Sequence, residues 1–219
     1  MQIAVLGTGI VGETLADKLV AVGHDVFMGS RTTGNAKAVA WAARHEARAG
    51  HGTFADAAAL GDVVVNATSG MASLAVLEAA GASNLDGKVL VDVSNPLDFS
   101  NGFPPSLSVC NTDSLGEQIQ RAFPNARVVK ALNTVTAAVM VDPGQLAGVS
   151  DLFIAGEDGD AKAVVVGLLG QFGWPESHVR DLGGITAARG TEMYLPLWLN
   201  VIAAVGTPTF NITLVEARQ

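Results

Sequence analysis

The hexapeptide GTGIVG, residues 7–12, carries glycine at its first, third and sixth positions. This spacing suits a turn with three demands: Gly7 for tightness, Gly9 for close backbone approach to an anion, Gly12 for close helix–strand packing. Thr8, Ile10 and Val11 fill the places between. A helix opening here turns free N–H groups and a positive dipole end toward a phosphate. Glycine-rich chains produce the pattern by chance, so its context decides. IAVL before it is a short apolar run of strand character. Val11, Leu15, Leu19 and Val22 after it fall along one helical face, and GHDVFMGSR then turns into a second strand over residues 25–29. A strand–helix–strand unit of about thirty residues is the setting in which this motif binds a dinucleotide.

Such a unit normally ends its second strand with a carboxylate that grips the ribose hydroxyls. Here Ser30 and Arg31 follow, and no carboxylate appears before residue 46. A hydroxyl and a guanidinium both donate, and Arg meets a phosphate with two parallel bonds. Lys37 stands one helical turn further on, and Asn35 is another candidate for the same pocket. The pair predicts NADP(H) rather than NAD(H), with the 2′-phosphate at the strand tip.

Three other predicted strand ends carry small polar residues: NATSG with Thr68 and Ser69, DVSNP with Asn95, and KALNTV with Asn133. Such residues also end strands and cap helices. Three of them beside the glycine turn predict one continuous groove. Other chemistry is poorly supplied. His24, His45, His51 and His178 are scattered, and no nucleophile elbow, zinc-protease motif or Walker loop is present. No carboxylate pair reads as an acid–base dyad. A hydride passed directly between two bound carriers needs alignment more than a proton donor.

The elements that must position these residues alternate. Strands at 3–6, 25–29 and 62–68, in KVLVDVSNP and in ARVVKAL are separated by helices at 11–22, 36–48, 71–80 and 114–123. That order predicts an α/β chain, a Rossmann-type parallel sheet with helices on both faces and right-handed crossovers. DLFIAG, a helix at 160–172 and HVRDLG form a small C-terminal α/β extension. A last helix over 187–205 is expected to bend near Pro196. The division is residues 1–135 for the NADP-binding part and 136–219 for a smaller part that contributes to an acceptor pocket and a dimer interface. The chain of 219 residues is 49% hydrophobic and 16% charged, with a net charge of −8. The acidic balance argues against nucleic acid. The lone Cys110 fits a cytoplasmic setting. No secretory leader is read at MQIAVLGTG, and YLPLWLNVIAAVG, broken by Pro196 and Asn200, falls short of a membrane span. Leu195, Leu197, Trp198, Leu199 and Ile202 are apolar on more than one helical face, which predicts a homodimer.

The opening MQIAVLGTGIVGETLADKLVAVGHDVFMGSR resembles the start of the NADPH-dependent coenzyme F-420 reductases, the F-420:NADP oxidoreductase family. The NADPH-binding domain of the STEAP metalloreductases is related. VVKALNTV resembles the segment these proteins place beside the nicotinamide, and RGTEMYLPLWLNVI their C-terminal helix. The resemblance implies that Thr8, Gly9, Ile10 and Val11 cradle phosphates and that Ser30 and Arg31 hold the 2′-phosphate. It also implies that Thr68, Ser69 and Met71 line the groove and that Val135 lies near the deazaflavin. Archaeal members tend to carry His where this chain has Asn133. The implied reaction is hydride transfer between NADP(H) and coenzyme F-420. The alternatives are NADPH-dependent reduction of a flavin, quinone, metal complex or small carbonyl compound, or NADP(H) sensing without turnover.

Overall fold

The computed structural model describes residues 1–217. In chain order the elements are β1 (Gln2–Leu6), α1 (Ile10–Ala21), β2 (Asp25–Ser30), α2 (Ala36–His45), β3 (Ala49–Thr53), α3 (Phe54–Leu60), β4 (Val63–Asn66), α4 (Ser73–Ala80), α5 (Ala82–Leu85) and β5 (Val89–Asp92). Two short strands follow, β6 (Leu97–Asp98) and β7 (Ser106–Leu107), then α6 (Leu115–Ala122), β8 (Arg127–Ala131), α7 (Ala137–Val141), β9 (Leu152–Ala155), α8 (Gly159–Phe172), β10 (Val179–Asp181), α9 (Ala188–Met193) and α10 (Leu195–Val205).

Eight strands form one sheet in the order β10-β9-β8-β5-β4-β1-β2-β3. From β1 the chain builds outward through β2 and β3, then returns to lay β4 on the other side of β1. The strand order therefore reverses between β1 and β4, where open α/β sheets bind ligands. Side-chain alternation along β1 shows how the sheet is held. Ile3 and Val5 pack toward Leu15, Trp41 and Leu168 on one face, and Ala4 and Leu6 toward Ala57, Leu77 and Ile119 on the other. Both faces are covered, so β4 and β5 are buried along their whole length.

Two features depart from the sequence expectation. The segment between α2 and β4 contains a strand and a helix, β3 and α3, that were not expected there. AGHGT has little strand propensity, but a side chain at Gly50 would strike the Phe27 ring, so close packing on β2 selects glycine. Helix α3 starts with a reciprocal cap, the Thr53 hydroxyl accepting from the Asp56 amide at 3.1 Å and the Asp56 carboxylate from the Thr53 amide at 2.8 Å. The second departure is direction. Along β3-β2-β1-β4-β5-β8 the strands pair in parallel, but β9 runs antiparallel to β8, and β10 is parallel to β9. The C-terminal strands thus extend the same sheet. The last helix breaks at Tyr194, with Pro196 in the first turn of α10.

The tail after α10 is tied to the sheet through Asp151, which is fully buried. Its carboxylate accepts from Arg180 Nε at 2.7 Å, Thr213 Oγ1 at 3.0 Å and the Leu214 amide at 2.6 Å, and faces His178 Nδ1 at 3.2 Å. Its amide donates to the Ile212 carbonyl at 2.9 Å. Burial pushes this carboxyl up, but the Leu214, Arg180 and Thr213 donors together outweigh it and hold it at about 2. A depressed carboxyl stabilises the fold above its unfolded value and stops doing so as pH falls through the folded one. Thermal stability should therefore drop between about pH 4 and pH 2. Asp151→Asn should melt lower at neutral pH and lose less across that window. Parallel pH curves for the two proteins would show that Asp151 contributes no such stabilisation.

Candidate active site

The glycine turn shows three different glycine requirements. Gly7 has φ +122°, and a side chain there would place its Cβ 2.6 Å from the Ala67 carbonyl oxygen. A Cβ on Gly12 would run into the Gly7 carbonyl. Around Gly9 nothing lies within 4 Å of that position, and no side chain caps the helix that begins at Ile10. The first amides of α1 thus border open space, a setting suited to phosphate, and the one carboxylate of the first turn, Glu13, is paired with Arg44.

At the tip of β2, Arg31 and Lys37 are exposed, and among the described residues neither guanidinium nor ammonium has an ion-pair or hydrogen-bond partner. Asn35 is the N-cap of α2, its Oδ1 accepting from the Lys37 and Ala38 amides at 3.1 Å each. Ser30 is buried, and its hydroxyl donates to the Thr32 carbonyl at 2.6 Å. In this geometry Ser30 shapes the loop while Arg31 and Lys37 present charge. The exposed Thr32 and Thr33, not singled out in the sequence, stand next to Arg31.

Beyond the turn a cleft of ≈520 Å³ opens along the carboxyl ends of β1, β4, β5 and β8. It collects Gly9, Ile10 and Val11, then Thr68 and Ser69, then Ser94 and Asn95, then Asn133 and Val135. Gly7, Thr8 and Gly12 build the turn without lining the cleft, and Met71 is exposed outside it. The far wall comes from Thr136, Ala137 and Met140 and from Leu195 and Trp198 of α10. Periodicity marked these last residues only as an apolar helix face.

Two amides bridge the strand tips. Asn133 Nδ2 donates to Asn95 Oδ1 at 2.9 Å, and Asn95 Nδ2 to the Asn133 carbonyl at 2.8 Å. Asn133 Oδ1 is left buried without a hydrogen-bond partner among the described residues. Trp198 Nε1 is likewise without one, whereas Trp41 donates to Asp17 at 2.7 Å and Trp174 to the Met140 carbonyl at 2.9 Å. A buried orphan costs about 1–3 kcal/mol. Thr134 Oγ1, Tyr194 Oη and Asn211 Oδ1 are orphaned among the described residues as well, outside this cleft, and the two at the cleft mark open hydrogen-bonding positions on its wall.

Charge lies one layer below. Asn66 Nδ2 donates to Asp92 Oδ1 at 2.9 Å and to Ser73 Oγ at 3.0 Å, and Thr68 Oγ1 donates to Asn66 Oδ1 at 2.7 Å. Lys130 Nζ reaches Asp92 Oδ2 at 2.8 Å, the Ser94 carbonyl at 2.6 Å and Glu192 Oε1 at 2.8 Å. Burial pulls the Lys130 ammonium down, but the Asp92 and Glu192 carboxylates more than offset that and hold it above the ordinary lysine value. The cleft surface itself carries no Asp, Glu, His, Lys, Arg, Cys or Tyr among its described lining residues.

Residues 2–96 match the family described as NADP oxidoreductase, coenzyme F420-dependent. The F420-dependent NADP reductase of Methanothermobacter marburgensis is 30% identical over 213 residues, which cover 92% of this chain and 92% of that protein. The chain belongs to the F420-dependent NADP reductase family. A crystal structure from an Arthrobacter species, provisionally assigned as an F420-dependent NADP-reductase, shares 51% identity with a TM-score of 0.93, covering 99% of this chain and 100% of that one. Metalloreductase STEAP3 of Rattus norvegicus is 29% identical over 207 residues, or 90% of this chain but only 38% of its own length.

For this member of the F420-dependent NADP reductase family, the three turn glycines should separate by substitution. Gly9→Ala should leave the melting temperature nearly unchanged and weaken NADPH binding by at least about tenfold, because its methyl takes space a phosphate needs. Gly7→Ala should instead destabilise the fold by about 1–3 kcal/mol through its positive φ and the Ala67 contact. Titration calorimetry and thermal melts check both. A Gly9→Ala protein that binds NADPH normally would place the phosphates elsewhere.

Proposed function

We propose that this protein transfers a hydride between NADP(H) and the deazaflavin coenzyme F-420. The observation that carries this reading is the cleft lining. It joins the uncapped start of α1 to the tips of β4, β5 and β8, and its described residues include no titratable side chain. Reduction of a small carbonyl compound needs a proton donor beside the reacting oxygen. Exchange between two flat carriers needs close alignment and exclusion of water.

In this reading the amides of Ile10 and Val11 hold the pyrophosphate, and Arg31 and Lys37 hold the 2′-phosphate, with Ser30 and Asn35 shaping their loop. Thr68 and Ser69 border the groove, with Met71 outside it. Asn133 Oδ1 accepts from the carboxamide, and Asn95 fixes the rotamer of Asn133. Val135 and Leu195 pack against the apolar ring faces. Trp198 Nε1 donates to a carbonyl of the second ring system. The bound nicotinamide supplies the carbon that gives or takes the hydride. The protein supplies binding, orientation and a dry surface.

Purified protein with NADPH should reduce F-420 and show little activity with FMN, FAD, quinones or small carbonyl compounds. Under single turnover the hydride step should vary little with pH between about 6 and 9, since no side chain in contact with the rings titrates there. In the same assays Arg31→Ala should weaken NADPH binding by about 1.5–3 kcal/mol, with little effect on NADH. Binding of NADPH without turnover of any acceptor would instead support the sensing alternative. Equal losses for NADPH and NADH in the variant would remove Arg31 from the 2′-phosphate.

We also read the chain as a cytoplasmic homodimer; no helix among the described residues is long and apolar enough to cross a membrane. Helix α10 leaves Leu197 and Val205 each 57% exposed, and Leu214 in the tail is 49% exposed. Such a patch is costly to leave in water. Light scattering at micromolar concentration should give about twice the 22.4 kDa chain mass. A monomer mass would overturn the dimer.

A further inference from the structure

We propose that Lys130 is a positioning residue that sets the spacing between the two walls of the cleft, through its buried ion pairs with Asp92 and Glu192. The effect on the acceptor rests on the cleft taking a second ring system against α10; the mechanical link does not.

Lys130 Nζ donates to Asp92 Oδ2 at 2.8 Å and to the Ser94 carbonyl at 2.6 Å, and it is ion-paired with Glu192 Oε1 at 2.8 Å. Lys130 and Glu192 are each 1% exposed and Asp92 is 0% exposed. Two carboxylates against one ammonium leave a surplus negative charge. It is offset at the first turn of α6, where the Leu115 amide donates to Glu192 Oε2 at 2.8 Å and the Gly116 amide to Oε1 at 3.0 Å. Burying such a cluster contributes little stability compared with apolar side chains of similar volume. What it contributes is a fixed geometry among three separate elements.

Those elements carry the cleft. Ser94 and Asn95 at the β5 tip are cofactor-side lining, and Ser94 is bonded directly by Lys130. Glu192 lies three residues before Leu195 and six before Trp198, the two α10 residues on the opposite wall. The other ion pair of α9, Arg189 to Glu117 at 2.6 Å, ties it to α6 and reaches no strand tip. Lys130 is therefore the ionic joint, among the described residues, between the acceptor-side helix and the cofactor-side strands.

The test is Glu192→Gln, which removes the charge that Lys130 holds and keeps an oxygen for one of the two α6 amides. It is read beside Arg189→Gln, which loosens the tie of α9 to α6 alone and should leave the acceptor KM unchanged. Hydrogen exchange without ligand should quicken about tenfold over residues 195–205 and stay unchanged in β1 and β4. With acceptor, KM for F-420 should rise about tenfold while the NADPH Kd stays within twofold, a tenfold change being about 1.4 kcal/mol. Lys130→Met, which also frees the β5 tip, should weaken both ligands. Protection lost evenly along the chain, protection retained over 195–205, or equal changes in acceptor KM and NADPH Kd would each overturn the proposal. A wild type inert toward F-420 whose Glu192→Gln variant still loosens 195–205 would overturn the acceptor reading and leave the joint standing.

Discussion

The first turn passes so close to the tip of β4 that the Gly7 α-carbon lies against the Ala67 carbonyl, with no room for a methyl between them. Two backbone bonds hold that approach, Gly7 N–H to the Gly29 carbonyl and Ala67 N–H to the Leu6 carbonyl, each 3.0 Å. The consequences spread outward. With β1, β2 and β4 drawn together at their carboxyl ends, α1 starts over the gap where strand order reverses, and its free amides face the groove rather than solvent. A side chain at position 7 would separate the strand tips, and neither the open start of α1 nor the cleft beside it would keep its shape.

The groove keeps charge off its surface and stores it just beneath. Asn66, Asp92 and Lys130 lie at the ends of three neighbouring strands, and their side chains form one hydrogen-bonded layer reaching Glu192 on α9. In a low-dielectric interior such a layer is costly if any member lacks a partner and rigid when all are satisfied. Here the layer is satisfied, and two of the buried polar atoms without a partner among the described residues, Asn133 Oδ1 and Trp198 Nε1, lie at the cleft. A rigid layer below a surface with open hydrogen-bonding positions is the arrangement a binding site needs: the framework does not depend on the ligand, and the ligand completes the surface.

The C-terminal part solves a different problem. Strands β9 and β10 lengthen the sheet: β9 reverses direction against β8, and α8 crosses over to bring β10 parallel to β9. The chain then returns through α9 and α10 to wall the cleft, and Asp151 fastens the tail beside β9. The helix pair that walls the cleft is thus tied at α9 by Glu192, while the tail that follows it is held by Asp151.

Much of this was legible in the residues. The strand, glycine turn and helix of residues 2–21 announce themselves because each signal is local: an apolar run, a glycine spacing, a helical stripe. Arg31 was legible for the same reason, standing where a carboxylate is usual. Strand β3 was not, because its glycines answer to the Phe27 ring and the Asp56 side chain, contacts that exist only once β2 and α3 are in place. Nor was the commitment of the Ser30 hydroxyl to Thr32, which depends on how the loop closes. Lys130 could be read as part of a strand end, but its partners Asp92 and Glu192 lie far from it along the chain, and no pattern of spacing pairs residues so separated. Local propensity and periodicity determined the cofactor half of this protein. The α10 wall of the cleft, and the pairing of the buried charges beneath it, were decided by tertiary packing, because a desolvated ion finds its partner by proximity in space and not by distance along the chain.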